Sequence, residues 1–218
     1  HPSFLSSFDN MRVLEKREVL KVVSSIMKER LDKELPEELD LITIDKYWTV
    51  IASNSAYHVM ENVREIADCN ATLKAKVESA SFKGGTPRRR MLAEKIINAL
   101  SAQRLENTDL KNKIGLTAKD LRDNLCLYDP DIGEMGSDEP DADLLTYIDT
   151  LLRDIIASAN GQFISKSSNF DNVDQYYIDI DKRVDYEQLI KNRADSLSDD
   201  KLDQYYYQLL KDVLECSR

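Results

Sequence analysis

Hydrophobic residues recur at steps of three and four positions along most of the chain, which is the spacing of amphipathic helices. The first such pattern covers residues 12–34, and a short one follows a proline break near residues 45–51. A longer pattern occupies residues 59–80. Together these patterns predict a helical subdomain over residues 1–82.

A break at residues 81–87, which contains two glycines and a proline, interrupts the helical spacing. A new amphipathic pattern begins after that proline. Thr117, with Asp120 three residues later, is typical of a capping box and predicts a helix over residues 118–127. After an acidic loop, a continuous apolar stripe over residues 144–156 predicts a third helix.

The stretch that follows, GQFISKSSNFDNVDQYYIDI at residues 161–180, differs from the rest of the chain. Tyr176, Ile178 and Ile180 occupy every second position, which is the period of a strand with one covered face. Two short strands around a polar loop are therefore expected. Three helices followed by a hairpin is the order of a winged helix, and we expect such a domain over residues 86–181.

A C-terminal helical segment is expected over residues 182–218. Its final pattern places Leu202, Tyr205, Tyr206 and Leu209 at steps of three and four. The predicted fold class is therefore mainly α: a helical subdomain, a winged helix made of three helices and a β-hairpin wing, and C-terminal helices.

The composition is that of an ordinary soluble globular chain, with 42% hydrophobic and 32% charged residues. No apolar run approaches the roughly 18 residues of a membrane span, and the N-terminus lacks the pattern of a secretion signal. The three scattered cysteines give no disulfide framework. We expect a cytoplasmic location with no membrane contact. Because the sequence does not begin with methionine, we also expect a piece of a longer protein.

The residue types that most catalytic and cofactor sites require are scarce. None of the six glycines stands in a phosphate-binding motif. The two histidines leave little basis for a metal site or a histidine-dependent triad. The aspartates of residues 129–143 lack the spacing and the terminal glutamate of a calcium loop. We therefore expect no catalytic residue, metal ion or cofactor in this chain.

The sharpest chemical feature is a basic cluster formed by Lys83, Arg88, Arg89 and Arg90. Guanidinium groups match phosphate oxygens in geometry, so the cluster is a candidate contact for the phosphates of a nucleotide or of DNA. The alternative is a solvated helix start, or an ion-pair partner for the acidic segment 129–154. That segment carries nine acids against one arginine, and so holds −8 of the net charge of −10.

The third predicted helix bears on DNA binding, because a winged helix normally offers this helix to the major groove. Its sequence, DADLLTYIDTLLRDIIASAN, contains four aspartates and one arginine, a balance that would repel a duplex. Lys166 in the wing favours DNA, whereas Asp171 and Asp174 oppose it. DNA is thus a disfavoured partner for this helix.

Several phrases follow one another in a fixed order along most of the chain, most weakly over residues 36–85. They are HPSFLSSF, EKREVLKVV, IINALSAQRL, GLTAKDLRDNLCLYDPDI, DLLTYIDTLLRDI, GQFIS, QYYIDIDKRVDYEQLIKNRADSL and LDQYYYQLLKDVLE. Together they resemble the large ATPase of bacterial phage-defence systems of the bacteriophage-exclusion (BREX) and phage-growth-limitation type, which is grouped with a domain family of unknown function.

The resemblance implies a long parent chain with a P-loop core of AAA+ type near its front, where ATP and magnesium would bind. This chain would be an internal piece downstream of that core: a lid-like subdomain, a winged helix and a further helical region. In related ATPases a lid or winged-helix arginine often senses the nucleotide, a role open to Arg88, Arg89 or Arg90.

The expected function is a non-catalytic regulatory and interaction module. It would couple the nucleotide state of the upstream core to DNA or to protein partners, among them other subunits of the defence system. The alternative is a DNA-binding winged-helix module that uses Lys83, Arg88, Arg89, Arg90 and the wing.

Overall fold

The computed structural model describes residues 16–32, 41–79, 82, 84–106, 114–129, 132, 138–182, 189–191, 194 and 199–213. The chain divides into two compact units, His1–Arg183 and Val184–Arg218. The described part is mainly helical and contains one small antiparallel sheet of three strands. The predicted fold class, mainly α, is confirmed.

The first three helices among the described residues each coincide with a pattern in the sequence. They are α1 (Lys16–Asp32), α2 (Ile44–Ser53) and α3 (Glu61–Glu78), with a 3-10 turn at Tyr57–Val59 between the last two. The residues that face inward from α2 and α3 are almost all large and apolar. They include Tyr47, Trp48, Ile51, Val63, Ile66, Leu73 and Val77.

Helix α4 (Pro87–Glu106) lies at the centre of this unit. It contacts α2 and α3 and also the elements that follow it in the chain. Its middle section is buried on every side, and every residue from Ile96 to Ala102 is buried. A helix that is buried all round shows no solvent-facing stripe. One core cluster contains buried residues from both sides of residues 83–85, including Phe82 and Leu92. The predicted division of the first unit into residues 1–82 and 86–181 stays a prediction.

Three buried polar side chains join α3 to α4 within this apolar surrounding. The amide nitrogen of Asn70 donates to Asn98 Oδ1 at 3.1 Å and to Ser101 Oγ at 2.9 Å. Ser101 Oγ in turn donates to the backbone oxygen of Ile97 at 2.8 Å. Because an unsatisfied buried polar group is costly, this set of bonds favours one register of α3 against α4 over its neighbours.

The second half of the unit has the element order of a winged helix, counting α4 as its first helix. The remaining elements are β1 (Leu116–Thr117), α5 (Ala118–Leu125), α6 (Pro140–Ser158), β2 (Ile164–Ser168) and β3 (Asp174–Ile178), and a 3-10 turn follows at Ile180–Lys182. All pairings are antiparallel and β3 is the central strand. The predicted three helices and hairpin are present, and β1 is an addition that its two-residue length hides from sequence patterns.

Two backbone positions shape this region. Cys126 adopts a left-handed conformation with φ of 47°, which ends α5 two residues before the predicted limit. Gly115 lies so close to β3 that a Cβ atom there would be 2.1 Å from the carbonyl oxygen of Tyr176. The strand β1 can therefore pair with β3 only because residue 115 has no side chain.

The described residues of the second unit include helix α7 (Asp199–Val213). Several large apolar and aromatic side chains of α7 are exposed to solvent: Tyr205, Tyr206, Tyr207, Leu209 and Val213. Among the helices described in either unit, none combines the length and the apolar character that crossing a bilayer requires.

The predicted capping box of α5 is present, and it provides a stability test. Asp120 N donates to Thr117 Oγ1 at 3.1 Å, while Thr117 N donates to Asp120 Oδ2 at 2.9 Å. We expect Thr117→Ala to lower the free energy of unfolding by about 1 kcal/mol, measured by urea denaturation. Thr146→Ala is the control, because Thr146 Oγ1 donates only to the carbonyl of Ala142 within α6. Equal effects of the two substitutions would contradict a capping role.

Candidate functional site

The basic cluster predicted from the sequence lies at the start of α4. Thr86 caps this helix, since its Oγ1 accepts from Arg89 N at 3.2 Å and its carbonyl accepts from Arg90 N at 3.0 Å. Three arginines thus occupy the first turn of α4, where the helix dipole disfavours positive charge. Nearby carboxylates offset that cost. Lys83, the fourth member of the cluster, lies outside the described residues.

Arg89 is the most enclosed of the three arginines, with 15% of its side chain exposed. Its Nη2 donates to Asp154 Oδ2 on α6. Its guanidinium group lies over two aromatic rings, 5.3 Å from the ring centre of Tyr147 and 5.9 Å from that of Phe82. Arg89 therefore links the start of α4 to α6 by an ion pair and by cation–π contacts.

Arg88 and Arg90 point to two other segments. Arg88 Nη2 donates to the backbone oxygen of Tyr128 at 3.1 Å, and its Nε lies 3.9 Å from Asp129 Oδ1. Arg90 Nη1 lies 3.7 Å from Glu78 Oε2 at the end of α3. The three side chains thus diverge toward three parts of the fold. They are close in sequence but do not converge on one point.

The arginines keep some unused donor capacity. The Nε atoms of Arg88, Arg89 and Arg90 are buried, and none has a hydrogen-bond acceptor among the described residues. A guanidinium group carries five N–H donors, so an ion pair with one carboxylate does not saturate it. The arrangement shows the intramolecular ion pairing that the sequence offered as one alternative, and a contact of the cluster with phosphate stays a prediction.

Tyr147 reports on the electrostatics beside Arg89. Burial raises the pKa of the Tyr147 hydroxyl, and the neighbouring guanidinium group of Arg89 partly opposes that rise. Tyr147 is therefore a neutral phenol at ordinary pH, and its ring is available as a face for the cation. Sequence spacing could not identify the aromatic partners of Arg89, because Phe82 precedes α4 in the sequence and Tyr147 belongs to α6, far after it.

The wing candidate, Lys166, lies on β2. Its ammonium group is 2.5 Å from Asp174 Oδ2 on β3. This hydrogen bond raises the pKa of Lys166. About half of each side chain is exposed, so the pair is a solvated ion pair across the hairpin. The charge of Lys166 is largely offset by Asp174.

The four aspartates of α6 occupy different environments. Asp141 and Asp143 are exposed in the first turn, where the helix dipole favours carboxylates. Asp149 lies 3.5 Å from the hydroxyl of Tyr176, and Asp154 is paired with Arg89. The side chains exposed farther along the helix are Thr146, Thr150, Arg153 and Ala157. The two exposed aspartates of α6 thus lie at its beginning, and the two partly buried ones lie farther along.

One polar cluster was not found from the sequence. Ser165 Oγ donates to Asp179 Oδ2 at 2.6 Å and accepts from Lys182 Nζ at 2.9 Å. A serine between a carboxylate and an ammonium group is a combination also used in nucleophilic catalysis. Here Ser165 is buried, with 7% of the residue exposed, and its hydroxyl bonds to both neighbours. The hydrogen bonds of the cluster connect the 3-10 turn at Ile180–Lys182 to β2. Its members are separated in the sequence and become neighbours only in the folded chain.

Metal chemistry has no candidate in the described ranges, where no three His, Cys, Asp or Glu side chains are grouped so that they could hold an ion. His58 has a structural contact, since its Nε2 lies 2.8 Å from the backbone oxygen of Ala52. That contact joins the 3-10 turn after α2 to the end of α2.

A family model described as DUF6079 second domain matches residues 1–184 of the chain. The matched residues correspond to the first compact unit, His1–Arg183, so the family boundary and the structural boundary agree within one residue. No curated protein and no solved structure matches the chain.

The ion pair between Arg89 and Asp154 should stabilise the contact of α4 with α6. We expect a double-mutant cycle of Arg89→Ala and Asp154→Ala to give a coupling energy of about 1 to 3 kcal/mol, measured by urea denaturation. Arg153→Ala is the control, because Arg153 is exposed on the same helix. We expect it to change the stability by less than about 0.5 kcal/mol. Additive effects of the two single substitutions would show that the pair contributes nothing specific.

Proposed function

The chain belongs to the DUF6079 second-domain family, and from this starting point we propose that it is a non-catalytic regulatory and interaction module of a larger phage-defence ATPase. The phrases shared with ATPases of the bacteriophage-exclusion and phage-growth-limitation type support this proposal. The observation that carries it is the arginine cluster at the start of α4, from which ion pairs reach three segments of the fold.

The cluster offers a route by which a phosphate group could change the fold. Each arginine is held by a carboxylate: Arg88 by Asp129, Arg89 by Asp154 and Arg90 by Glu78. A phosphate competes with a carboxylate for the same guanidinium donors. The Nε donors are buried and have no acceptor among the described residues, so they would become additional donors to a phosphate once it displaces a carboxylate.

Exchange of partners would loosen the hold of α4 on its neighbours. Loss of the Arg89–Asp154 pair would weaken the link to α6, and loss of the Arg90–Glu78 pair would weaken the link to α3. The phosphates of a nucleotide bound in the upstream core would thereby bias the position of the winged helix. ATP and magnesium would be held by that core, and this chain would respond to them.

Substitutions in the complete protein test this role. We expect Arg89→Gln to reduce phage restriction, and to change the rate of ATP hydrolysis by about tenfold or more, because a sensing arginine that meets phosphate charge typically contributes at least that much. Arg64→Gln removes an exposed arginine of α3 and should behave as the unmodified protein. Plaque counts and steady-state ATP turnover are the measurements.

The variant Asp154→Asn separates a phosphate contact from a structural ion pair. It breaks the same ion pair as Arg89→Gln but keeps the guanidinium group. If Arg89 meets phosphate, Arg89→Gln changes ATP turnover by about tenfold or more, whereas Asp154→Asn, which keeps the guanidinium group, changes it far less. Equal losses in both variants, at equal stability, would limit the pair to a structural role. Wild-type turnover and restriction in Arg89→Gln would end the proposal for this residue.

A second candidate function, DNA binding by the winged helix, is favoured by one observation. Beyond its acidic first turn, the exposed side chains of α6 are Thr146, Thr150, Arg153 and Ala157, and the remaining carboxylates, Asp149 and Asp154, are partly buried. This is the helix that a winged helix offers to the major groove. The sequence-based version of this candidate, through Lys83, Arg88, Arg89, Arg90 and the wing, has less support. The three arginines are held by carboxylates, and Lys166 by Asp174.

Titration with duplex DNA at two salt concentrations distinguishes the two candidates. A DNA-binding function requires an affinity that falls as salt rises, with a slope that decreases by about one for each phosphate contact removed. Arg153→Gln should then reduce the slope, and Arg64→Gln should not. We expect no measurable affinity at low salt, since the regulatory function does not need it. Salt-dependent affinity that Arg153→Gln reduces would favour the DNA-binding candidate instead.

A further inference from the structure

The tip of the hairpin, residues 169–173, presents one aromatic side chain entirely to solvent. Phe170 has a relative exposure of 110%, more than any other large hydrophobic residue in the described part of the chain. The neighbouring Val173 is also about half exposed. A lone exposed apolar residue is ordinary. The hairpin tip differs because its backbone is held in a defined shape around the exposed ring.

Asn169 organises this tip. Its Oδ1 accepts from Asp171 N at 3.0 Å and from Val173 N at 2.9 Å. Its backbone N–H donates to the carbonyl of Val173 at 2.9 Å, and its carbonyl accepts from Asn172 N at 3.0 Å. Asn172 takes the left-handed conformation that such a turn needs, with φ of 60°. Phe170 is consequently carried by a closed turn with four internal hydrogen bonds.

The hairpin below the tip is fixed to the body of the unit. Tyr176, Tyr177 and Ile178 of β3 are all buried, so both faces of that strand are covered near its end. Gln175 donates to Ser167 Oγ on β2 at 3.0 Å, and its Oε1 accepts from Gly115 N beside β1 at 3.2 Å. The ring of Phe170 is thus displayed from a rigid base, which lowers the entropy cost of docking it.

The charge at the tip selects the kind of partner. Asp171 follows Phe170 directly, is exposed, and forms no ion pair with a described residue. Asp174 is already paired with Lys166. The tip therefore offers a ring beside one available carboxylate. Phosphates of nucleic acid or of anionic lipid would be repelled by Asp171, and a second copy of this chain, with a net charge of −10, is also disfavoured.

We propose that the hairpin tip is a docking element for another protein: Phe170 enters an apolar pocket, and Asp171 meets a Lys or Arg side chain at the rim of that pocket. An aromatic anchor in a desolvated pocket is the usual source of binding energy at small interfaces, and a charge at the rim adds orientation. This inference rests on the hairpin alone. It does not depend on the nucleotide-sensing role of the arginine cluster.

Site-specific photocrosslinking tests the proposal in the complete protein. The photoreactive residue p-benzoylphenylalanine is placed at position 170 instead of Phe170, and the protein is irradiated in its host cells. In a parallel control the same residue replaces Val59. Val59 is a suitable control because it is 85% exposed and lies outside the hairpin. We expect a protein adduct at position 170 that position 59 does not give. The cross-linked peptide of the partner should border an apolar pocket with Lys or Arg at its rim.

The partner so identified is then purified and its affinity measured. We expect Phe170→Ala to weaken binding by about tenfold or more. Asp171→Lys should weaken it through charge reversal, and Asn169→Ala through loss of the braced turn. Val59→Ala should remain within about twofold of the original affinity. Because Phe170 is fully exposed, Phe170→Ala should leave the thermal unfolding midpoint and the rate of ATP hydrolysis unchanged, which separates this test from that of the arginine cluster.

Other results would overturn the proposal. Adducts with nucleic acid, with lipid or with a second copy of this chain would show that the hairpin tip contacts a different kind of partner. The same holds for an absence of adducts beyond those of the Val59 control. A partner whose affinity is unaffected by Phe170→Ala, or improved by Asp171→Lys, would also contradict it.

Discussion

The burial of the middle of α4 on all sides is the constraint on which the rest of the first unit depends. Its middle residues have no face toward solvent, so every polar group there needs a partner within the protein. Asn98 and Ser101 find theirs in Asn70 of α3, and this fixes how the two helices meet. The first turn of the same helix carries three arginines, and positive charge is unfavourable at the start of a helix. Carboxylates from α3, from α6 and from the segment after α5 offset that charge.

The packing of the middle of α4 therefore determines which acceptors the arginines in its first turn can reach. The apolar and amide contacts fix the position of the helix, and the arginines then reach fixed acceptors. The ion pairs at the start of α4 act between separate elements, so the contacts of α4 with α3 and α6 depend on them. The same helix also contacts β3, so the hairpin is attached to the buried core of the unit.

Much of this fold follows from the sequence. The helices α2, α3, α4 and α6 have apolar spacing that predicts them within a few residues, and Thr117 with Asp120 marked the start of α5 correctly. The hairpin was also predicted. The all-round burial of α4 was not, because Asn98, Ser101 and Arg104 look like solvent-facing residues until their partners are known. Strict alternation in the second strand also fails, since Tyr177 is buried beside Tyr176.

The candidate site was predicted only as a set of residue types. Sequence spacing identified Arg88, Arg89 and Arg90, but their acceptors lie as far as 65 positions away. No local pattern marks such pairs. The Ser165 cluster and the turn around Asn169 were not predicted either. The cluster depends on the register of the hairpin, and the turn depends on a left-handed backbone conformation at Asn172.

Gly115 makes the sheet depend on one position outside its strands. The carbonyl oxygen of Tyr176 lies where a Cβ atom at residue 115 would be, so only a hydrogen atom fits there. Leu116 and Thr117 pair with β3 directly after this glycine. Any residue with a side chain at position 115 would therefore push β1 away from β3 and reduce the sheet to its hairpin.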